Sequence, residues 1–326
     1  MNHTYASVFF SELNRYMGLM GEKGLNTKTT RNTLTRFDLY LTRINWNQKN
    51  LPASSISEWL NIQNTRASTK RIYLMQISGF VRYLRSLDIS ADCPELPKIN
   101  SDYAAYLFSD EELARIFLLA DNYGGSRRFS RRTFAFPIIL RILYGCGLRI
   151  GEVCSLQWKD VDLEQGVITI RYAKNKKQRV IPMHASLTQI LKEYHCMARR
   201  EKICAGYLFE SAYNPGTPMD TGSFHKWFRI ILQKSGIEYT KNDPNERGPC
   251  PHCLRHTFVM KSFQKSEDEG KRFEDTAPFL AAYLGHDGPQ NTETYLSSNH
   301  SLYTQSHKRV DAAIGNLFPE VCFDEE

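Results

Sequence analysis

P-C-P-H-C-L-R-H-T-F at 249–258, a charged interruption at 266–275, and A-A-Y-L-G-H-D-G-P-Q-N-T-E-T-Y-L at 281–296 form the stretch that decides how this chain reads. His252 and Arg255 stand three apart where a helix is expected to begin, so their side chains share a face. Gly285 follows Leu284 as the left-handed stop residue of a second helix, and His286 comes directly after it. Tyr295 lies nine positions further on, past polar turn residues. Two imidazoles, a guanidinium and a phenol hydroxyl gathered at one point suit a cluster of anionic oxygens, with a phosphodiester as the first such group to consider. Singly, each of these residues reads as surface or packing. The ordered set is what points to chemistry.

Upstream, L-R-I-G-E-V-C-S-L-Q-W at 148–158 predicts a short helix after the break Gly145-Cys-Gly147. The β-branched runs 161–163 and 167–172 predict strands, the second joined by A-K-N-K-K-Q-R (173–179) to a third at 180–182. Ser109-Asp-Glu-Glu112 is a capping box, and helices are expected at 133–144, 185–200, 222–235, 254–265, 275–284 and 303–316. The segment S-E-D-E-G-K-R-F-E-D at 266–275 reads as a solvated loop. This half is therefore mainly α with a small antiparallel β-sheet, an α+β domain over 105–326.

Residues 5–88 read as four helices, an all-α module ending at a linker over 90–104 that holds two prolines and no periodicity. Asn26-Thr27 is the expected cap of the second helix, Ser54-Ser55 precedes the third (56–62), and Ser68 or Thr69 caps the fourth. The fourth carries Ile72, Leu74, Ile77, Phe80, Val81 and Leu84, with Lys70, Arg71, Arg82 and Arg85 along it. Residues 1–100 hold thirteen Lys and Arg against seven Asp and Glu, so nearly all of the chain's net charge of +7 sits there. A basic helical module beside a near-neutral remainder fits polyanion binding, and a solvated basic surface is the bland alternative.

No apolar run approaches the roughly 20 residues of a membrane span, and the first residues lack a secretory pattern, so a cytoplasmic protein with reduced thiols is expected. Eight cysteines are scattered, and Cys250-x-x-Cys253 has no second pair at a zinc-like distance, which predicts no metal site. Neither a nucleotide loop nor an acidic metal cluster is visible, so no cofactor is expected.

The order G-L-R-x-x-E, a Lys in a β-turn, H-x-x-R-H, L-G-H and then Tyr resembles the tyrosine recombinase, or phage integrase, family over about 110–318. The helical module is similar to that family's core-site-binding, SAM-like domain, placed at 1–104. The resemblance implies a site-specific recombinase that breaks and rejoins duplex DNA through a 3′-phosphotyrosyl link to Tyr295, leaving a 5′ hydroxyl and needing no ATP. Arg149 and Arg255 would clamp the non-bridging oxygens, His286 would add a donor, and His252 would handle the tyrosyl proton. Lys174 would protonate the leaving oxygen, with Lys176 and Lys177 as neighbouring phosphate contacts, and Glu152 would orient Arg149. It further implies a homotetramer on synapsed core sites, joined through the C-terminal helix, in a nucleoid-associated bacterial protein.

The chain departs from the family's pattern in a longer separation of Arg255 from His286, in the three lysines of one turn, and in the cysteines flanking His252. Tyr303 reads as packing. The sequence leans toward integration and excision of a mobile element. The alternatives are a chromosome-dimer-resolving recombinase, a type IB topoisomerase-like enzyme, a DNA-binding protein with a decayed site, and a zinc protein using Cys250 and Cys253.

Overall fold

The computed structural model describes residues 5–25, 27–96, 105–123, 131–171, 178–200, 206–211, 213–237, 239 and 248–285, with the side chains of 131–133 and 199–200 excepted. Its chain divides into two compact units, Met1–Ser101 and Asp102–Glu326.

The first unit contains α1 (Phe10–Glu22), α2 (Lys28–Arg43), α3 (Ala53–Ile62) and α4 (Ala67–Arg85). Apolar residues at helical spacing define each inner face: Leu13 and Met17 on α1, Leu34, Phe37 and Leu41 on α2, Ile56, Trp59 and Leu60 on α3, and Leu74, Ile77, Phe80, Val81 and Leu84 on α4. Edge-on aromatic pairs knit the faces together, Phe37 with Trp59 at 5.3 Å and Phe9 with Phe80 at 6.3 Å between ring centres. Buried Asp38 accepts the backbone N–H groups of Ala6 and Ser7 at 2.8 and 3.0 Å, which pins the chain's first segment to α2.

The helix starts differ from the sequence reading in their details. Thr27 is the boundary residue of α2, and its side chain makes no capping hydrogen bond. α3 begins at Ala53 after extended Pro52, so Ser54 and Ser55 lie inside it, and Ser55 donates back to the Pro52 carbonyl at 2.8 Å. α4 begins at Ala67 with extended Arg66 as its boundary, so Ser68 and Thr69 are first-turn residues and cap nothing. Ile72 is exposed rather than part of the inner stripe.

The second unit runs α5 (Asp110–Asn122), α6 (Arg131–Gly145), α7 (Ile150–Ser155), a 3-10 turn at Trp158–Asp160, strands β1 (Val161–Asp162), β2 (Val167–Ile170) and β3 (Arg179–Pro182), then α8 (Ala185–Arg200), α9 (Thr221–Lys234), α10 (Pro251–Asp268) and α11 (Phe273–Leu284). The sheet is antiparallel in the order β1-β2-β3, with Val161 opposite Ile168 and Ile168 opposite Ile181. The capping box at α5 forms: Ser109 Oγ accepts the Glu112 N–H at 3.2 Å, and the Glu112 carboxylate accepts the Ser109 N–H at 2.9 Å.

Helix α6 is the centre of this unit. Ile138, Ile139, Leu140, Ile142 and Leu143 are all buried, because α5, α7, α8 and α10 pack around it. α10 in turn buries Val259 and Phe263 against Ala277, Leu280 and Leu284 of α11. The charged segment 266–275 is not a loop for most of its length: α10 continues to Asp268 and α11 opens at Phe273, leaving 269–272 between them. Phe263 and Phe273 meet at 4.8 Å between ring centres across this turn. Glu, Asp and Lys are tolerated on the outer side of a helix whose inner side is packed. No described helix is long and apolar enough to cross a membrane.

Candidate active site

Three arginines and one carboxylate, drawn from α7, β3 and α10, meet where α6 turns into α7. Arg149 is the N-terminal boundary residue of α7, and Glu152 is one turn into it. The Glu152 carboxylate accepts the Arg149 backbone N–H at 3.0 Å and Arg149 Nη1 at 3.1 Å. Its second partner is Arg179 at the start of β3, whose Nη2 donates to Oε2 at 2.9 Å. Both side chains of that pair are buried, at 9% and 7% exposure. Burial alone would raise the Glu152 carboxyl. The hydrogen bond and charge of Arg179, with the bond from the Arg149 backbone and the Arg149 charge, outweigh it and hold the group below the usual carboxylate range.

Arg179 has a second task. Its Nε donates to the Tyr283 carbonyl at 2.9 Å, in the last turn of α11. Directly beyond stands Gly285, the C-terminal stop of α11, at φ 67° and ψ 46°. A Cβ built on Gly285 would lie 2.9 Å from Arg179 Nη1, so both the positive φ and the close guanidinium require glycine there. The hydrophobic alternation of β3 carried a signal for Arg179: it shares a sheet face with buried Ile181. Read from the sequence, it looked like the end of a basic turn. Replacing Arg179 with Ala leaves Glu152 buried with half its partners, so we expect a loss of about 3–5 kcal/mol in folding stability, measured by urea unfolding. A loss below about 1 kcal/mol, the range of an exposed pair, would show that the contact is not a structural clamp.

Arg255, on α10, is wholly buried. Its Nη1 donates to the Gly147 carbonyl at 2.7 Å and its Nη2 to the Leu284 carbonyl at 3.0 Å. One guanidinium thus ties the turn before Arg149 to the end of α11, two residues before His286. Gly147 holds that turn at φ 58°, and a Cβ there would overlap the Phe258 ring.

His252 is exposed on the first turn of α10 and meets His256 edge-on, ring centres 4.7 Å apart. Burial, then the charges of His252 and Arg255, push the His256 imidazole down to about 3. His256 is therefore a neutral ring against which the exposed His252 is set. Below about pH 6.5 the unfolded chain protonates this residue and the folded chain does not. Its contribution to stability is thus complete above that pH and falls as the pH drops toward 3, by up to about 1.4 kcal/mol per unit. His256→Gln should remove that part of the slope between pH 4 and 6 in denaturant titrations. An unchanged slope would refute the assignment.

Of the other residues singled out from the sequence, Lys174, Lys176, Lys177, His286 and Tyr295 lie outside the described residues, as do Tyr303 and the expected helix at 303–316. On α4, Arg82 is exposed, and Lys70 and Arg71 are partly exposed. Arg85 turns back to the Ala91 carbonyl at 2.5 Å and the Asp92 carboxylate at 2.6 Å.

The model of the phage integrase family matches residues 108–301, more than half of the chain. The chain belongs to the phage integrase family.

As a member it is a tyrosine recombinase, an enzyme of site-specific DNA recombination. The recombinase is similar to a Sinorhizobium fredii protein named as the integrase/recombinase y4rB, 30% identical over 71% of this chain and 74% of that protein. It is also similar to the tyrosine recombinase XerC of Chlorobaculum tepidum, 27% identical over 66% of this chain and 64% of that protein. Among solved structures it shares its fold with XerH recombinase bound to difH DNA (TM-score 0.61, 20% identity, 82% of this chain and 75% of that one). It likewise shares the fold of a lambda integrase dimer on a core site (TM-score 0.60, 18% identity, 87% and 76%).

Proposed function

We propose that this recombinase cuts one DNA strand by attack of the Tyr295 hydroxyl on a backbone phosphorus, forming a 3′-phosphotyrosyl link and releasing a 5′ hydroxyl, which then attacks in the reverse sense to rejoin strands. The observation that carries the reading is the pair of hydrogen bonds that Arg255 donates to the Gly147 and Leu284 carbonyls, which draws the segments bearing Arg149, His252 and the chain leading to His286 to one place. In this reading Arg149 faces the non-bridging oxygens of the scissile phosphate with planar donors, Arg255 joins it once a terminal nitrogen exchanges its backbone carbonyl for a phosphate oxygen, and His286 adds a third. His252, exposed and set against a neutral ring, takes the tyrosyl proton. Lys174 gives a proton to the leaving 5′ oxygen. Glu152, shared between Arg149 and Arg179, fixes the orientation of Arg149.

The helical unit supplies DNA affinity. Lys70, Arg71 and Arg82 of α4 reach backbone phosphates, together with Arg85 once it exchanges exposed Asp92 for a phosphate. The substrate is double-stranded DNA with short inverted core sites, cut by a tetramer whose protomers exchange the segment after Tyr295. Solved structures of similar fold include a lambda integrase tetramer on a Holliday junction. Truncation after His300 should leave single half-site binding within about threefold and abolish cooperative binding to paired half-sites. Gel-shift titration reads this, and intact cooperativity would place the segment on its own protomer.

The biological setting we favour is a mobile element, integrated and excised in a bacterial cytoplasm. The name integrase/recombinase carried by the S. fredii relative supports it. Chromosome-dimer resolution is the second reading, favoured by the likeness to XerC. A nicked core-site duplex that traps the cut strand tests the chemistry: denaturing gels should show protein bound to the 3′ side of the nick. Circles of excised flanking DNA in cells distinguish the mobile element from dimer resolution, which would leave none.

A further inference from the structure

The cysteines that flank His252 have no role in the proposed cleavage chemistry, yet they form a built pair. Cys250 is the boundary residue of α10, extended at φ −148° and ψ 169°, Pro251 is the first helical residue, and Cys253 closes the first turn. Their sulfurs lie 3.6 Å apart, in hydrogen-bond contact. The Cys250 N–H reaches the Cys253 sulfur at 3.4 Å, and the Cys253 N–H donates to the Cys250 carbonyl at 2.8 Å. The two thiols thus stand where a serine and a glutamate stand in an ordinary capping box. Cys253 is fully buried, whereas Cys250 is partly open.

We propose that Cys250 and Cys253 are a reversible oxidation site that takes a hydroperoxide and closes to a disulfide around His252. The Cys250 thiolate attacks the peroxide, the O–O bond breaks, and the thiol is oxidised to a sulfenic acid while the peroxide is reduced to an alcohol or water. The Cys253 thiol then attacks the Cys250 sulfur, and its proton leaves with the hydroxyl as water. Two thiols and one hydroperoxide give one disulfide, one alcohol and one water. The sulfurs must close from contact to about 2.05 Å, a side-chain rotation that the extended backbone at Cys250 permits.

The environment assigns the order. Cys250 is held well below the usual thiol range by the hydrogen bond from Cys253, against its burial, with further help from the N–H groups of His252 and Cys253 and from His225 on α9. Cys253 is pushed up by that same bond and by burial, against the backbone hydrogen bonds of Cys250 and Tyr106. The attacking sulfur is therefore the open one. Cys146 and Cys154, by contrast, are buried and pushed up to about 12, which makes them inert. Among the described residues no group of three or more His, Cys, Asp and Glu side chains is placed to hold a metal ion.

Closing residues 250 and 253 fixes the turn that presents His252, and Arg255 lies on the next. The effect on cleavage rests on the proposed phosphotyrosyl mechanism; the oxidation itself does not. Both sulfurs fall on one tryptic peptide, 248–255. Treat the full chain with hydrogen peroxide, alkylate, digest and weigh that peptide. It should lose two mass units, refuse alkylation and regain both thiols with dithiothreitol, while the peptides of Cys146 and Cys154 stay alkylatable. Strand cleavage on the nicked duplex should fall by on the order of tenfold to a hundredfold and return on reduction. In Cys250→Ser, cleavage should resist peroxide and Cys253 should stay a thiol. A 248–255 peptide that stays alkylatable, a pairing with another cysteine, or a stoichiometric metal ion that blocks alkylation would overturn the site. Cleavage unchanged by a formed disulfide would overturn the coupling to His252. Failure of the phosphotyrosyl reading would show separately, as no cleavage by the reduced protein.

Discussion

Tyr295→Phe should abolish covalent attachment to DNA, lowering it by on the order of 10⁴-fold or more, while core-site affinity stays within about twofold. The substitution removes one oxygen and keeps the ring, so packing is preserved and only the nucleophile is lost. Binding depends on phosphate contacts made by other residues, which the change does not touch. Gel shifts and denaturing gels on the same trapped duplex separate the two effects. A persisting covalent band would move the nucleophile to another tyrosine, with Tyr303 tested next.

Lys174→Ala should slow cleavage by about 10²–10⁴-fold, the range for loss of a positioned proton donor. Lys176→Ala and Lys177→Ala should instead weaken binding modestly and flatten its salt dependence, as lost phosphate contacts do. The three lysines lie within four positions of sequence and carry the same charge, so rate alone will not separate them. A substrate with sulfur in place of the 5′-bridging oxygen does, because a thiolate leaves without a proton. It should restore Lys174→Ala to within about tenfold of the wild type and leave the other two unchanged. Selective rescue of Lys176→Ala would transfer the role to Lys176.

The mainly helical fold with its three-stranded sheet was legible because its signals are local. The Ser109–Glu112 box, the Gly285 stop and the alternation of 167–170 each act within a few residues. The segment 266–275 was misread because charge describes only the outer side of a helix. What keeps α10 and α11 helical there is the contact of Phe263 with Phe273 and the packing of Ala277 and Leu280, which no neighbour in sequence reveals. The starts of α3 and α4, after Pro52 and Arg66, were misplaced for a related reason: neither boundary residue caps its helix, and packing sets the position.

The same division holds at the site. Glu152 was legible as a partner of Arg149 because the two lie three apart. Arg179 was not, since its bonds reach Glu152 and Tyr283, 27 and 104 positions away in sequence. Arg255 was legible as a motif residue, but not as the buried strut between Gly147 and Leu284. The pairing of Cys250 with Cys253 depends on the extended backbone at the helix start, which spacing alone leaves open.

In the proposed mechanism Tyr295 becomes joined to the 3′ phosphate of the cut strand. Tryptic digestion of the trapped complex yields a peptide, 273–308, that contains Tyr283, Tyr295 and Tyr303 together, so fragmentation of the nucleotide-bearing peptide decides among them. The nucleotide is expected on Tyr295, linked through the 3′ phosphate, with a free 5′ hydroxyl on the partner fragment. A nucleotide on any other residue, or a link through a 5′ phosphate, would contradict it.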